Sequence, residues 1–188
     1  MSEGKLNAFL AQTIATHLTG AGHEVRTTEI VAGYDVEQEV EKHLWADIII
    51  TQSPVYWFGN PWTYKKYVDE VFNAGLLNPR MVANDGRTRS DPSKQYGTGG
   101  LMHGKKYMLS LTWNAPEVAF NDTNQYLFRG KSVDEVFVFN TANYVFCGAE
   151  ILPAFSCHDV LKDRVGNHDL ARLKEHLNMY MLQNTGGG

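Results

Sequence analysis

Between Asp47 and Trp62 the chain reads Asp-Ile-Ile-Ile-Thr-Gln-Ser-Pro-Val-Tyr-Trp-Phe-Gly-Asn-Pro-Trp. A branched-aliphatic run of this kind reads as a buried parallel strand, since a strand covered on both faces need not alternate. It passes into a proline-bounded loop with three consecutive aromatics, Tyr56, Trp57 and Phe58, and then into a helix at Asn60-Pro61. Ligands of open α/β sheets bind just beyond the carboxyl ends of such strands. Three adjacent rings at that place suit a flat, wide ligand; the alternative is that they plug the top of the core. A second strand, Lys106 to Thr112, ends the same way, in Trp113-Asn114-Ala115-Pro116. Side by side, the two loops would form one rim.

Other chemistry-bearing residues lead less far. Gly99 to Lys106 nearly spells a phosphate loop, but Lys106 occupies the magnesium-binding Ser/Thr position. The segment also precedes a strand, whereas a phosphate loop follows one. Seven histidines show no metal-ligand spacing. Ser53 and Ser110 lack a nucleophile-elbow context. His158 and Asp159 stand near the end of a last strand, where a loop Asp is more often a helix cap. Arg87, Arg89 and Lys94 could hold cofactor phosphates, or could equally be a solvated charged loop. Ser2, ahead of the first helix, opens a natural phosphate cradle, though Ser there is also an ordinary N-cap.

The elements that must position these residues alternate in type. Leu6, Leu10, Ile14 and Leu18 predict a helix from Lys5 to Leu18, ended by Gly20 and Gly22. His23 to Ile30 alternates as a half-exposed edge strand would. Asp35 caps a short helix through Trp45, and Asn60 with Pro61 opens one to Phe72, with Trp62, Val68, Val71 and Phe72 available for packing. Residues 78–105 show no periodicity and read as a lid-like loop. Val133 to Phe146 reads as a helix, although Val136 to Phe139 suits a strand equally well. Ile151 to Ser156 is expected to be the last strand and Leu170 to Leu182 the closing helix. The pattern is that of a doubly wound α/β parallel sheet. One domain is expected for 188 residues, with a flexible tail at 184–188. A net charge of −4 argues against nucleic-acid binding. Two cysteines without a CxxC pair, no leader and no membrane-length apolar run point to a cytoplasmic protein.

Four groups of residues carry a family resemblance. They are Leu44-Trp45-Ala46-Asp47; Pro61-Trp62-Thr63 with Lys65-Lys66-Tyr67; Asp85-Gly86-Arg87-Thr88-Arg89 with Asp91-Pro92-Ser93-Lys94; and the run Gly104 to Pro116. In these the chain resembles the flavodoxin-like NAD(P)H quinone reductases of the bacterial modulator of drug activity B type. The resemblance implies a five-stranded parallel sheet of order 2-1-3-4-5, FAD as cofactor, NADPH as hydride donor, a small-molecule quinone as acceptor and a homodimer. Carried over by position, Pro54, Val55, Tyr56, Trp57 and Phe58 would wrap one edge of the flavin ring. Thr112, Trp113, Asn114 and Ala115 would meet its other side, with Ser2, Leu6 and Asn7 at the pyrophosphate. Trp57, Trp113, Phe120 and Tyr126 would wall the quinone. The implied chemistry is ping-pong: a hydride passes from NADPH to flavin N5 and then to the quinone.

Two departures from the family pattern shape the expectations. The family places a strand and a loop before its Ser-x-Gly-x-Leu-Asn segment, whereas Met1 directly precedes Ser2 here. The first, central strand is therefore expected to be absent, leaving two neighbours without ladder partners; either the true start lies upstream, or the sheet is repaired in another way, for example by a partner chain. In addition, mammalian-type relatives use a Tyr–His pair after the second flavin loop. This chain has Phe120, Asn124 and Tyr126 there, which leaves Tyr126 or water to deliver the proton. Two alternatives follow: a non-catalytic flavodoxin-like redox or interaction module, or an FMN-dependent azo- or nitroreductase.

Overall fold

The computed structural model describes residues 5–163 and 165–181. Its first helix, α1 (Lys5–Gly20), buries Leu10, Ile14 and Leu18, the face that their spacing predicts. It closes where the His23 amide bonds the Leu18 carbonyl, with Gly22 at φ +93. Helix α2 (Val36–Trp45) begins at Asp35, whose side chain accepts from the Gln38 amide at 2.9 Å. Strand β1 (Ile48–Pro54) and helix α3 (Trp62–Leu77) follow, then strand β2 (Lys106–Thr112). The ambiguous segment is helical but broken: α4 (Val133–Val136) and α5 (Val138–Phe146) meet at Phe137, which is wholly buried. Strands β3 (Glu150–Ile151) and β4 (Phe155–Cys157) and helix α6 (Asn167–Met181) complete the chain.

Every strand pair is parallel. β2 is central, with β1 on one side and both β3 and β4 on the other, so the expected last strand is two short pieces against one neighbour. The side chains of β2 alternate between two cores: Met108 packs with α1 and α6, while Tyr107, Leu109 and Leu111 face the aromatic core of Trp113, Phe137 and Tyr144. A third cluster joins Val40 of α2, Tyr67 and Val71 of α3, and Met81, Val82 and Met102. These last three anchor both ends of the 78–105 segment in the core. It has no regular elements beyond a bridge between Val82 and Gly100, and its Arg87–Ser90 stretch is exposed.

Three expectations are corrected. Residues 23–30 are not an edge strand: the segment pairs with no described strand, because a ladder needs a partner and none lies beside it. Among the described residues the sheet has three rows of strand, where the family's five with the first one absent would leave four. The cap of α3 is Pro61 rather than Asn60, whose Oδ1 instead accepts from Asn140 Nδ2 at 2.7 Å. That helix runs on to Leu77 and buries Tyr64, Tyr67, Val71 and Gly75, leaving Trp62 in solvent.

Buried ionisable groups give the fold a pH dependence of definite sign. Burial lowers the pKa of His43, His158 and His176, each of which donates to a backbone carbonyl: Glu39 at 2.8 Å, Ala115 at 3.3 Å and Pro153 at 2.9 Å. Their contribution is fully present above the unfolded histidine value of about 6.5 and is lost as pH falls through the lower folded values. For Glu39, burial raises the pKa, but Lys42, Tyr67 and Thr28 together hold it below the ordinary carboxylate value, so its contribution is lost at still lower pH. Melting temperature is expected to fall steadily from pH 7.5 to pH 5.5 (roughly one unit either side of 6.5), with a shallower slope in His43→Gln. An unchanged slope would show that His43 does not carry the effect.

Candidate functional site

The two strand-end loops do lie side by side. Pro54 ends β1 opposite Thr112 of β2, and the Val55 amide continues the ladder to the Thr112 carbonyl at 3.0 Å. Tyr56 and Gly59 then exchange backbone bonds, Tyr56 N to Gly59 O at 2.9 Å and Gly59 N to Tyr56 O at 3.2 Å. Trp57 and Phe58 form the two-residue tip, with φ of 49° and 66°. Positive φ at both central positions defines a type I′ turn, which strongly favours Asn-Gly. Bulky residues there are strained. At this tip Trp57 is 94% exposed, while Phe58 leans edge-on against Phe128 with ring centres 6.0 Å apart.

The second loop turns its aromatic the other way. Trp113 is 2% exposed and packs against Phe120, Phe128 and Phe137, while Phe120 stacks on Phe128 at 4.5 Å. Neither ring faces the rim, so the expectation that Trp113 and Phe120 wall a substrate is not met. The backbone explains it: the Trp113 amide bonds the Cys157 carbonyl, and the Trp113 carbonyl takes the Val160 amide. This clamp between β2 and the chain after β4 draws the residue into the core. Asn114 is exposed, and Ala115 is half-buried, its carbonyl taken by His158 Nδ1 and the Asp159 amide. Tyr126 stands 88% exposed, two residues before the buried Phe128.

A polar chain ties the rim to α1. Ser110 Oγ donates to Gln52 Oε1 at 2.7 Å, Gln52 Nε2 to Asn7 Oδ1 at 2.8 Å, and Asn7 Nδ2 to Thr112 Oγ1 at 3.1 Å. Asn7 was expected at the phosphate end; it braces the strand ends instead. Leu6 packs into the α1–α6 core, and Ser2 lies outside the described residues. Sequence reasoning missed Gln52 and the bracing role of Ser110. The available signal was the placement of polar side chains in otherwise apolar strands. Gln52→Leu is expected to cost about 1–3 kcal/mol, because the fully buried Ser110 hydroxyl loses its acceptor. A urea midpoint equal to the parent's would contradict this.

The residues present fit a flat ring better than a phosphate chain. The rim offers exposed aromatic faces at Tyr56 and Trp57, the free amide of Asn114, and a buried Asn60 Nδ2 with no partner. The long-loop cations add little: Arg87 is paired with Asp85, its guanidinium 5.2 Å from the Tyr96 ring centre. Several motif residues serve the fold. Lys105 Nζ donates to the Leu44 and Ala46 carbonyls at 2.6 and 2.8 Å, closing the end of α2 and joining two of the segments that carry the resemblance.

Known proteins share the fold. A family model described as having the flavodoxin-like fold matches residues 2–180. The NADPH:quinone oxidoreductase MdaB of Haemophilus influenzae is 46% identical over 176 residues, covering 94% of this chain and 90% of that protein. An uncharacterized protein of Schizosaccharomyces pombe is 43% identical, covering 94% and 89%. Among solved structures, one from Klebsiella pneumoniae assigned to the quinone reductases superposes with a TM-score of 0.70 at 23% identity, covering 95% of this chain and 81% of that one. General stress protein 14 of Treponema denticola, solved with FMN, gives 0.58 at 21% identity, covering 92% and 87%. The chain belongs to the flavodoxin-like family, beside the NADPH:quinone oxidoreductase of Haemophilus influenzae.

Proposed function

We propose that this protein is an NAD(P)H:quinone oxidoreductase that works through a bound flavin, with FAD as the cofactor and NADPH as the donor. The observation that carries the reading is the rim where β1 and β2 end together, with an outward aromatic turn on one side and exposed Asn114 on the other. The 46% identity to a NADPH:quinone oxidoreductase supports the same conclusion. When bound, a flavin would supply two-electron hydride chemistry linking the nicotinamide and the quinone in two separate encounters.

The protein's own part is position. The backbone and side chains of Pro54 to Phe58 would hold one edge of the ring, and Thr112 to Ala115 the other. Asn7 keeps Thr112 in place, and Leu6 and Ser2 would lie toward the phosphates. Trp57 offers a flat face on which donor and acceptor stack in turn, a contact that specifies shape more than chemistry. Proton delivery to the reduced quinone falls to Tyr126 or to solvent. A homodimer would cover exposed apolar side chains outside the ring-binding rim, such as Trp62 and Phe139. No described helix is long and apolar enough to cross a membrane, and a cytoplasmic location is part of the proposal.

The test is spectroscopic. Purified protein should carry flavin absorbance that NADPH bleaches without oxygen and menadione restores. Mass spectrometry of the released flavin decides between FAD and FMN, and light scattering reads the dimer. A protein that binds flavin but is not bleached by NADPH or NADH would be a redox module without this turnover.

A further inference from the structure

His158 is the first residue past β4, whose Cys157 lies opposite Thr112 in the ladder. It therefore stands at the same rim as Tyr56 and Asn114, although 43 residues separate it from Ala115 in sequence. The residue is half-buried, and its donor and its ring have different partners. Nδ1 donates to the Ala115 carbonyl at 3.3 Å, and the ring centre lies 5.3 Å from that of Phe120. We infer, resting on the flavin reading above, that His158 is the positioning residue of the second loop, latching Ala115 so that Asn114 stays at the rim.

Three observations select this residue. First, the loop is pinned on both sides of Asn114 and open between. Trp113 bonds Cys157 and Val160 through its amide and carbonyl, and the Ala115 carbonyl takes His158 Nδ1 and the Asp159 amide. The Asn114 and Ala115 amides have no backbone partner among the described residues, which leaves them free for the acceptor edge of a ring. Second, both bonds to the Ala115 carbonyl are 3.3 Å long, beyond the usual N–H···O length of about 2.9–3.0 Å. Neither holds the loop strongly alone. Third, a row of ring contacts runs from His158 to the first loop. Phe120 stacks on Phe128 at 4.5 Å, and Phe128 meets Phe58 of the turn at 6.0 Å. One imidazole thus fixes the second loop by a bond and braces the aromatic turn through rings.

The latch favours the neutral imidazole. Burial lowers its pKa most, and Arg172 of α6 acts in the same direction. The bond to Ala115 and the carboxylates of Glu117 and Asp159 oppose them without prevailing. A released loop would return His158 to water and to the ordinary value of about 6.5. The latched form has the lower pKa, so protons favour release. The latch is complete above about pH 6.5 and is lost as pH falls through the lowered value.

Two variants separate the parts. His158→Phe keeps a ring against Phe120 and removes the donor, whereas His158→Gln keeps a donor and removes the titration. Free FAD is titrated into the full chain freed of flavin, with binding read by flavin fluorescence. At about pH 7.5, one unit above the free histidine value, His158→Phe should bind about tenfold more weakly, with His158→Gln near the parent. From there to about pH 5.5 the parent's affinity should fall, while that of His158→Gln stays level. Hydrogen exchange without flavin should be faster in residues 113–120 of His158→Phe and unchanged in α3, which separates a released loop from a damaged fold. Equal affinities in all three proteins would overturn the inference. So would a pH dependence that His158→Gln shares with the parent, or unchanged exchange in 113–120. If the parent binds no flavin at any pH, the flavin reading fails, and exchange in 113–120 decides the latch alone.

Discussion

Replacing the turn tip, Trp57→Asn together with Phe58→Gly, is expected to stabilise the protein by about 1–3 kcal/mol while lowering kcat/KM for quinone about 10²-fold. The gain comes from the backbone. Both positions sit at positive φ in a two-residue turn, the conformation that Asn and Gly accept and aromatic residues resist. Trp57 is almost fully exposed and has no packing to lose, whereas Phe58 gives up its edge contact with Phe128, which offsets part of the gain. The loss of activity comes from the rim, since a strained turn that presents two rings outward serves no end in the fold. Urea denaturation and steady-state kinetics with menadione read the two effects separately. A variant that is stabilised but fully active would remove Trp57 and Phe58 from the site. A destabilised variant would show that the turn is held by contacts rather than strained.

Gly100→Ala is expected to destabilise by more than about 3 kcal/mol, beyond the usual cost of an added methylene. A Cβ at Gly100 would fall inside the backbone of Cys147 and Gly148, which no rotamer change can relieve. The position is tight because the 78–105 segment is sewn into the core there. Met102 N bonds Cys147 O at 2.8 Å, Leu101 N bonds Met81 O at 2.9 Å, and Ala83 N bonds Gly99 O at 2.9 Å. Gly20→Ala is the control, at a helix end with nothing within 4 Å of the new methyl, and should be neutral or gain about 0.4–1 kcal/mol. A Gly100→Ala protein melting within a degree or two of the parent (a difference of well under about 1 kcal/mol) would mean that the segment is loosely held and lid-like after all.

The two aromatic loops show where sequence stops being enough. Both carry a tryptophan just past a parallel strand, and composition alone makes them equivalent. Their fates differ for reasons distant in sequence: Trp113 is drawn inward by bonds to Cys157 and Val160, while Trp57 is held outward by a turn closed on itself. Residues 23–30 teach the same lesson about strands. Their side chains alternate in type, but residues 23–29 hold no regular structure and Ile30 opens a 3-10 turn, because strand identity belongs to a pair. Asn7, expected to face a phosphate, is claimed by Gln52 and Thr112, contacts that no local pattern announces.

What the residues determined unaided was local. The four-residue spacing of Leu10, Ile14 and Leu18 set the inner face of α1, Asp35 set the start of α2, and Ile48 to Ile50 set a strand whose end carries Tyr56 to Phe58. These follow from periodicity and capping, which act over one or two turns of chain. Only the tertiary structure decided which rings face solvent and which polar side chains brace the rim. Those outcomes depend on what lies across the sheet from each residue, and neighbours across a sheet can be far apart along the chain.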